Sequence, residues 1–114
     1  MSTPPRVVVI GDLEATRLLC TLLTDEGVTT LHLLAPDETS LRSAFAGGVD
    51  GVAVVVRGDV AALRYALLAE SLQPSVAMVV TVFDRTIGAQ LASVAPHCTV
   101  TSPADVAAPS VVAA

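Results

Sequence analysis

The stretch that decides the fold is residues 6–27, which read Arg6-Val-Val-Val-Ile-Gly-Asp-Leu-Glu-Ala-Thr-Arg-Leu-Leu-Cys-Thr-Leu-Leu-Thr-Asp-Glu-Gly27. Val7–Ile10 form an unbroken β-branched run, which is typical of a strand buried on both faces, and Gly11 ends it. From Leu13 to Glu26 the apolar residues recur with helical spacing, and Gly27 is a helix stop. The stretch therefore predicts a buried strand that passes through a tight turn into an amphipathic helix.

The same change from strand to helix recurs along the rest of the chain. It predicts further strands at Thr29–Leu34, Val49–Val56, Val76–Phe83 and Cys98–Thr101. It predicts further helices at 37–45, 59–72 and 84–95, with Asp59 and Asp84 as N-caps, and a last helix that opens at Pro103. Strands and helices that alternate with short connections and right-handed crossovers form an α/β fold, a Rossmann-like doubly wound parallel sheet of about five strands in three αβα layers. The helix at 59–72 is apolar nearly all round, so we expect it to be buried on more than one side.

The composition bounds the function classes. The chain has 114 residues, 53% of them hydrophobic, and a mean hydropathy of +0.71. This predicts a single domain over residues 1–114 and excludes disorder. Charged residues interrupt the apolar runs, so no direct membrane insertion is expected. All six basic residues are arginines, scattered in a chain of net charge −5, which argues against nucleic acid as a partner. Cys20 and Cys98 are expected to be reduced, and the chain to be cytoplasmic.

The turn after the first strand is the first candidate site, because doubly wound sheets bind ligands at the carboxyl ends of their strands. Its position is that of a G-x-G-x-x-G dinucleotide fingerprint, but Gly11 is the only glycine kept, and Leu13 and Thr16 replace the other two. Asp12 and Glu14 add negative charge, and a carboxylate about 5 Å from a phosphate costs roughly 3 kcal/mol at an effective dielectric constant near 20. These acids instead suit the bare helix N-terminus, so the turn read alone is structural. If a ligand binds, we expect Gly11, Asp12 and Leu13 to lie nearest its phosphate.

Four further candidates follow the other strands. Ala35 stands where a ribose-binding acid is expected, and Asp37 either substitutes for it or caps the next helix. Arg57, followed by Gly58, is expected at the carboxyl end of the third strand. It is the only basic residue expected at the carboxyl ends of the strands, and so the best anion partner. Thr81 is expected at the end of the fourth strand.

No enzyme is predicted. His32 lies within the second strand and His97 before the fifth, and neither is near a nucleophile in the pattern. No His, Cys and Asp cluster has the spacing of metal ligands. We therefore assign no catalytic and no metal-binding residues.

A receiver domain has the same strand and helix alternation and is a second template. Asp12 and Asp59 could take two of its acidic positions, but the chain contains no lysine, which the receiver needs after its fifth strand. This leaves a pseudo-receiver signalling domain as an alternative.

Several stretches together resemble one family. They are Val7-Val-Val-Ile-Gly11, Gly51-Val-Ala-Val-Val-Val-Arg-Gly-Asp59, Ala61–Ala69, Val79-Val-Thr-Val-Phe-Asp84, Ala89-Gln-Leu91 and Val100-Thr-Ser-Pro-Ala-Asp-Val-Ala-Ala-Pro109. They are similar to the N-terminal nucleotide-binding domain of Trk-type potassium-uptake and RCK (regulator of K⁺ conductance) proteins. The departures are one βα unit that is missing before Val49, the lost glycines, Ala35 in place of the ribose acid, and Thr81 where the family often has an arginine.

The resemblance implies a cytoplasmic regulatory domain, peripheral to the inner face of the membrane, that senses a ligand for a potassium channel or transporter subunit. It implies NAD(H) or an adenine nucleotide as the ligand, or no ligand if the site is vestigial. It also implies a homodimer or a larger ring. The alternative from another class is a structural dimerisation module that binds no small molecule.

Overall fold

The computed structural model describes residues 4–95 and 97–101. The strands are β1 (Arg6–Ile10), β2 (Thr29–Leu33), β3 (Gly51–Val54), β4 (Ala77–Thr81) and β5 (Cys98–Thr101). The helices are α1 (Glu14–Asp25), α2 (Glu38–Phe45), α3 (Asp59–Leu72) and α4 (Arg85–Val94). The predicted helix that opens at Pro103 lies outside the described residues.

The five strands form one parallel sheet in the order β2-β1-β3-β4-β5. The prediction of a doubly wound α/β fold is therefore confirmed. The order 2-1-3-4-5 is the flavodoxin-like order of doubly wound sheets, whose switch point lies between β1 and β3.

The two faces of the sheet are covered differently. One face packs on α2, α3 and α4, with Val8, Ile10, Val54 and Val80 among its buried residues. The other face packs on α1, whose Leu19 and Leu23 contact the cluster formed by Val9, Ala53 and Val55. Strands with buried side chains on both faces explain why the sequence reads as continuous apolar runs.

Helix α3 lies between α2 and α4 and approaches the sheet through alanines. Ala62, Ala66 and Ala69 are completely buried. Val60, Arg64, Leu67 and Ser71, at spacings of three and four residues, form its exposed side. The helix is therefore buried on its sheet side and along both flanks, as predicted, while one stripe faces solvent.

The predicted N-cap of α3 is wrong. Gly58 is the N-cap and Asp59 is the first helical residue. The carboxylate of Asp59 instead accepts hydrogen bonds from the backbone N–H groups of Phe83 and Asp84, both at 2.9 Å. The prediction for Asp84 is confirmed, because its carboxylate accepts from the N–H groups of Thr86 and Ile87 and caps α4.

Both cysteines are free thiols, and Cys98 is buried in the core. Burial, with the negative charge of Glu70 as a smaller cause, raises the pKa of the Cys98 thiol to about 11, from an ordinary value of 9.0. The unfolded chain therefore loses this proton at lower pH than the native protein.

We expect stability to fall as the pH rises from about 9 to 11, because thiol ionisation favours the unfolded chain in this range. Urea unfolding at pH 8, 9, 10 and 11 measures it. In Cys98→Ala the pH-dependent loss should be smaller. Equal losses in the two proteins would contradict the assignment to Cys98.

Among the described residues, no helix has both the length and the apolar character needed to cross a membrane.

Candidate functional site

The candidate site lies at the carboxyl edge of β1 and β3. The chain leaves β1 toward β2 on one side, and it leaves β3 toward β4 on the other. These diverging connections make β1 and β3 the switch point, where doubly wound sheets have their ligand crevice. Gly11, Asp12 and Leu13 follow β1, and Arg57 and Gly58 follow β3, so the sheet brings five predicted site residues to this one place.

Neighbouring groups contact Gly11 at its Cα atom, its N–H and its carbonyl. Its backbone has φ +143°, and a Cβ atom there would lie 1.9 Å from the carbonyl oxygen of Val55. Its N–H donates to the carbonyl of Leu33 at 2.9 Å. Its carbonyl lies 2.7 Å from Nε2 of His32, and because a carbonyl only accepts, that nitrogen carries the proton. Gly11 therefore shapes the turn, and its N–H is not available to a phosphate.

The two residues that replace the fingerprint glycines pack inward. Leu13 is the N-cap of α1 and contacts the core cluster beneath that helix. Thr16 is completely buried, and its hydroxyl donates to the carbonyl of Val55 at 2.8 Å. In the fingerprint, the third glycine allows the helix to pack closely on the strand. Here the Thr16–Val55 hydrogen bond joins α1 to the chain that follows β3. Asp12 is exposed at the mouth of the turn.

The helix N-termini divide into two kinds. The N-termini of α2 and α4 are capped by the carboxylates of Asp37 and Asp84. No side chain caps α1 or α3 among the described residues. The uncapped helices are the two that begin at the switch point, and their free N–H groups and positive dipole ends favour an anion there.

Two arginines lie at this edge of the sheet. Arg57 is exposed and makes no side-chain hydrogen bond or ion pair within the part of the chain described. Arg85, the first residue of α4, is also exposed. The expectation that Arg57 is the only basic residue at the carboxyl ends is therefore wrong, but Arg57 is the one that follows β3 at the switch point.

The other two predicted residues lie elsewhere. Asp37 follows the edge strand β2, and its Oδ1 accepts from the N–H of Ser40 at 2.7 Å. This hydrogen bond lowers the pKa of Asp37, and the alternative that Asp37 is a helix cap is confirmed. Thr81 is the last residue of β4, as expected, but it has no exposed surface, and its hydroxyl donates to the carbonyl of Val54 at 3.3 Å. The expectation that its side chain faces the mouth of the site is wrong, because the side chain is buried against β3.

Sequence reasoning did not assign the roles that three residues play near the site. They are His32, which holds the Gly11 carbonyl, Asp59, which holds the loop after β4, and Phe83, which is 62% exposed in that loop. Phe83 could have been noticed in the sequence, because it ends an apolar run beside a helix cap. The partners of His32 and Asp59 are 21 and 24–25 residues away, and no local pattern indicates them.

A search of family models, of curated proteins and of solved structures gives no significant match to this chain. Within the described residues, no three His, Cys, Asp or Glu side chains are grouped so that they could hold a metal ion.

Proposed function

We propose that this chain is a regulatory domain that binds an anionic ligand, NAD(H) or an adenine nucleotide, at the switch point. In this proposal it is a cytoplasmic, non-catalytic subunit or domain of a potassium channel or transport system. The observation that carries the ligand site is that, among the described residues, the two helices without a side-chain cap both begin after the adjacent strands β1 and β3, and that Arg57, which has no side-chain partner there, directly precedes the start of α3. The potassium partner is carried by the sequence resemblance alone.

The charges at the site favour weak rather than tight binding. Glu14 and Asp59 lie in the first turns of α1 and α3, and Asp12 is exposed in the turn between β1 and α1. Asp59 already accepts two hydrogen bonds, so its charge is partly balanced. In this proposal the guanidinium of Arg57 and two helix N-termini attract the phosphate, and the carboxylates of Asp12 and Glu14 repel it. Weak binding suits a sensor of a ligand that is abundant in cells.

The first test is the affinity for nucleotides of Arg57→Ala. We expect the wild-type protein to bind AMP, ATP or NAD⁺ in calorimetric or NMR titrations, and Arg57→Ala to bind about 10- to 100-fold more weakly, because a hydrogen bond to a charged group is worth about 1.5–3 kcal/mol. Arg64→Ala is the matched control. It removes the same charge from an exposed position in the body of α3, so long-range electrostatics change equally. An equal loss in the two variants would remove Arg57 from the site.

Coupling to potassium transport needs a separate test. Potassium or rubidium uptake is measured in source cells whose chromosomal copy carries Arg57→Ala or Arg64→Ala. We expect altered uptake with the first and unchanged uptake with the second. If Arg57→Ala changed nucleotide binding but not uptake, the nucleotide-binding proposal would stand and the link to potassium transport would be refuted.

A structural dimerisation module is the second candidate, and one observation favours it. The N–H and the carbonyl of Gly11 both form hydrogen bonds within the protein, so a glycine at this position can be explained without a ligand. This candidate predicts that no nucleotide binds in the titrations and that the protein dimerises with increasing concentration in analytical ultracentrifugation.

A further inference from the structure

We propose that Phe83 recognises the base of a nucleotide bound at the switch point, by stacking on its ring. This inference rests on the proposed function and deepens it, because it assigns the aromatic half of the ligand to a residue that the sequence did not single out. Arg57 would contact the phosphate, and Phe83 the base.

The ring of Phe83 is not needed by the core. It is 62% exposed and belongs to neither buried cluster. Of the other two aromatic residues, Phe45 is buried and Tyr65 packs against the core. Phe83 therefore offers an aromatic surface to solvent beside the candidate site.

Phe83 lies beside the start of α3. Its N–H and that of Asp84 donate to the carboxylate of Asp59, the first residue of that helix, at 2.9 Å. Arg57 and Gly58 come directly before Asp59, and β3 and β4 are neighbours in the sheet, so the loops that follow these two strands lie side by side at its carboxyl edge.

The backbone of Phe83 is fixed before any ligand arrives. Its N–H and that of Asp84 donate to the two carboxylate oxygens of Asp59. The preceding N–H, of Val82, donates to the carbonyl of Thr101 at 3.0 Å. A ring on a fixed loop loses little conformational entropy on binding, which favours stacking.

The ligand class that fits is therefore a nucleotide and not a simple anion, and the proposed function makes it an adenine nucleotide. Aromatic stacking accepts every base, because each base has a π-face. AMP and ribose 5-phosphate are the probes that separate the base contact from the phosphate contact, because only AMP carries the base.

Phe83→Leu is the variant that tests the stacking. We expect its affinity for AMP, in NMR titrations of the full chain, to fall about 10-fold, within the range measured for base stacking on aromatic side chains. Its affinity for ribose 5-phosphate should stay unchanged. Val94→Leu is the control, because Val94 is 63% exposed at the far end of α4, and it should bind both ligands as the wild type does.

A second measurement uses Phe83→Trp, since the chain contains no other tryptophan. We expect AMP to quench its fluorescence saturably, with the Kd of the NMR titration, and ribose 5-phosphate to leave it unchanged. Val94→Trp should respond to neither ligand.

The outcomes separate the two proposals. If the wild type binds AMP, and Phe83→Leu binds it equally well while Arg57→Ala does not, the stacking inference is overturned and the anion site stands. If the wild type binds neither AMP nor ribose 5-phosphate, the proposed function fails and the stacking inference fails with it.

Discussion

Gly11→Ala is expected to lower the free energy of unfolding by about 4 kcal/mol or more, or to prevent folding, since changes of this size come from severe strain or packing errors. The new Cβ atom would lie 1.9 Å from the carbonyl oxygen of Val55 and 2.8 Å from Oγ1 of Thr16. Relief of the clash must move β3 or α1, and either movement breaks the Thr16–Val55 hydrogen bond. Urea unfolding followed by circular dichroism measures the loss.

Gly27→Ala is the control for the backbone contribution. Gly27 also has a positive φ, +84°, but a Cβ atom there has no neighbour within 4 Å. We expect it to cost about 1–2 kcal/mol, which is the left-handed strain alone. If Gly11→Ala cost no more than this, the close contact with Val55 would be wrong, and with it the geometry of the turn.

Leu41→Ala is expected to cost about 3 kcal/mol, within the 2–5 kcal/mol range for a fully buried leucine. Leu41 is completely buried and lies in the core between α2 and the sheet. It is the most deeply buried side chain of this helix of eight residues, whose other buried residues are Ala44 and Phe45. The loss is measured as a change in the urea midpoint at constant m-value.

Leu34→Ala is the comparison variant, because Leu34 is 58% exposed just after β2. We expect a change within about 0.5 kcal/mol, as for other surface substitutions. Similar losses in the two variants would mean that α2 is not anchored to the sheet as described. Together the pair tests whether α2, between β2 and β3, is part of the core.

The element pattern was readable because each strand and helix carries its own local signal. The run Val7–Ile10 and the helical spacing after Leu13 lie where β1 and α1 are found. The ends of the elements were less exact. The third strand was predicted from Val49 to Val56 and is Gly51–Val54, because apolar residues that flank a buried strand are buried too and read the same way.

The candidate site was only partly readable. Placement of Gly11 and Arg57 at the ends of β1 and β3 follows from the pattern together with the rule for doubly wound sheets. The inward position of Thr81 does not, since a threonine at a strand end is compatible with either orientation. Asp59 was mistaken for a cap because an acid at a helix start is usually one.

The sequence by itself determined the fold class, the number of strands and the turn at Gly11, because hydrophobic period and turn residues act over a few neighbouring positions. Only the tertiary structure decided which strands are neighbours, and so which loops meet at the switch point. It also decided that Asp59 holds the backbone of Phe83 and Asp84 and that His32 holds the carbonyl of Gly11. Within the part of the chain that the structure describes, it left α1 and α3 without side-chain caps. The physical reason is that parallel strands are joined by crossovers, so hydrogen bonds at their carboxyl edge link residues that are distant in the chain.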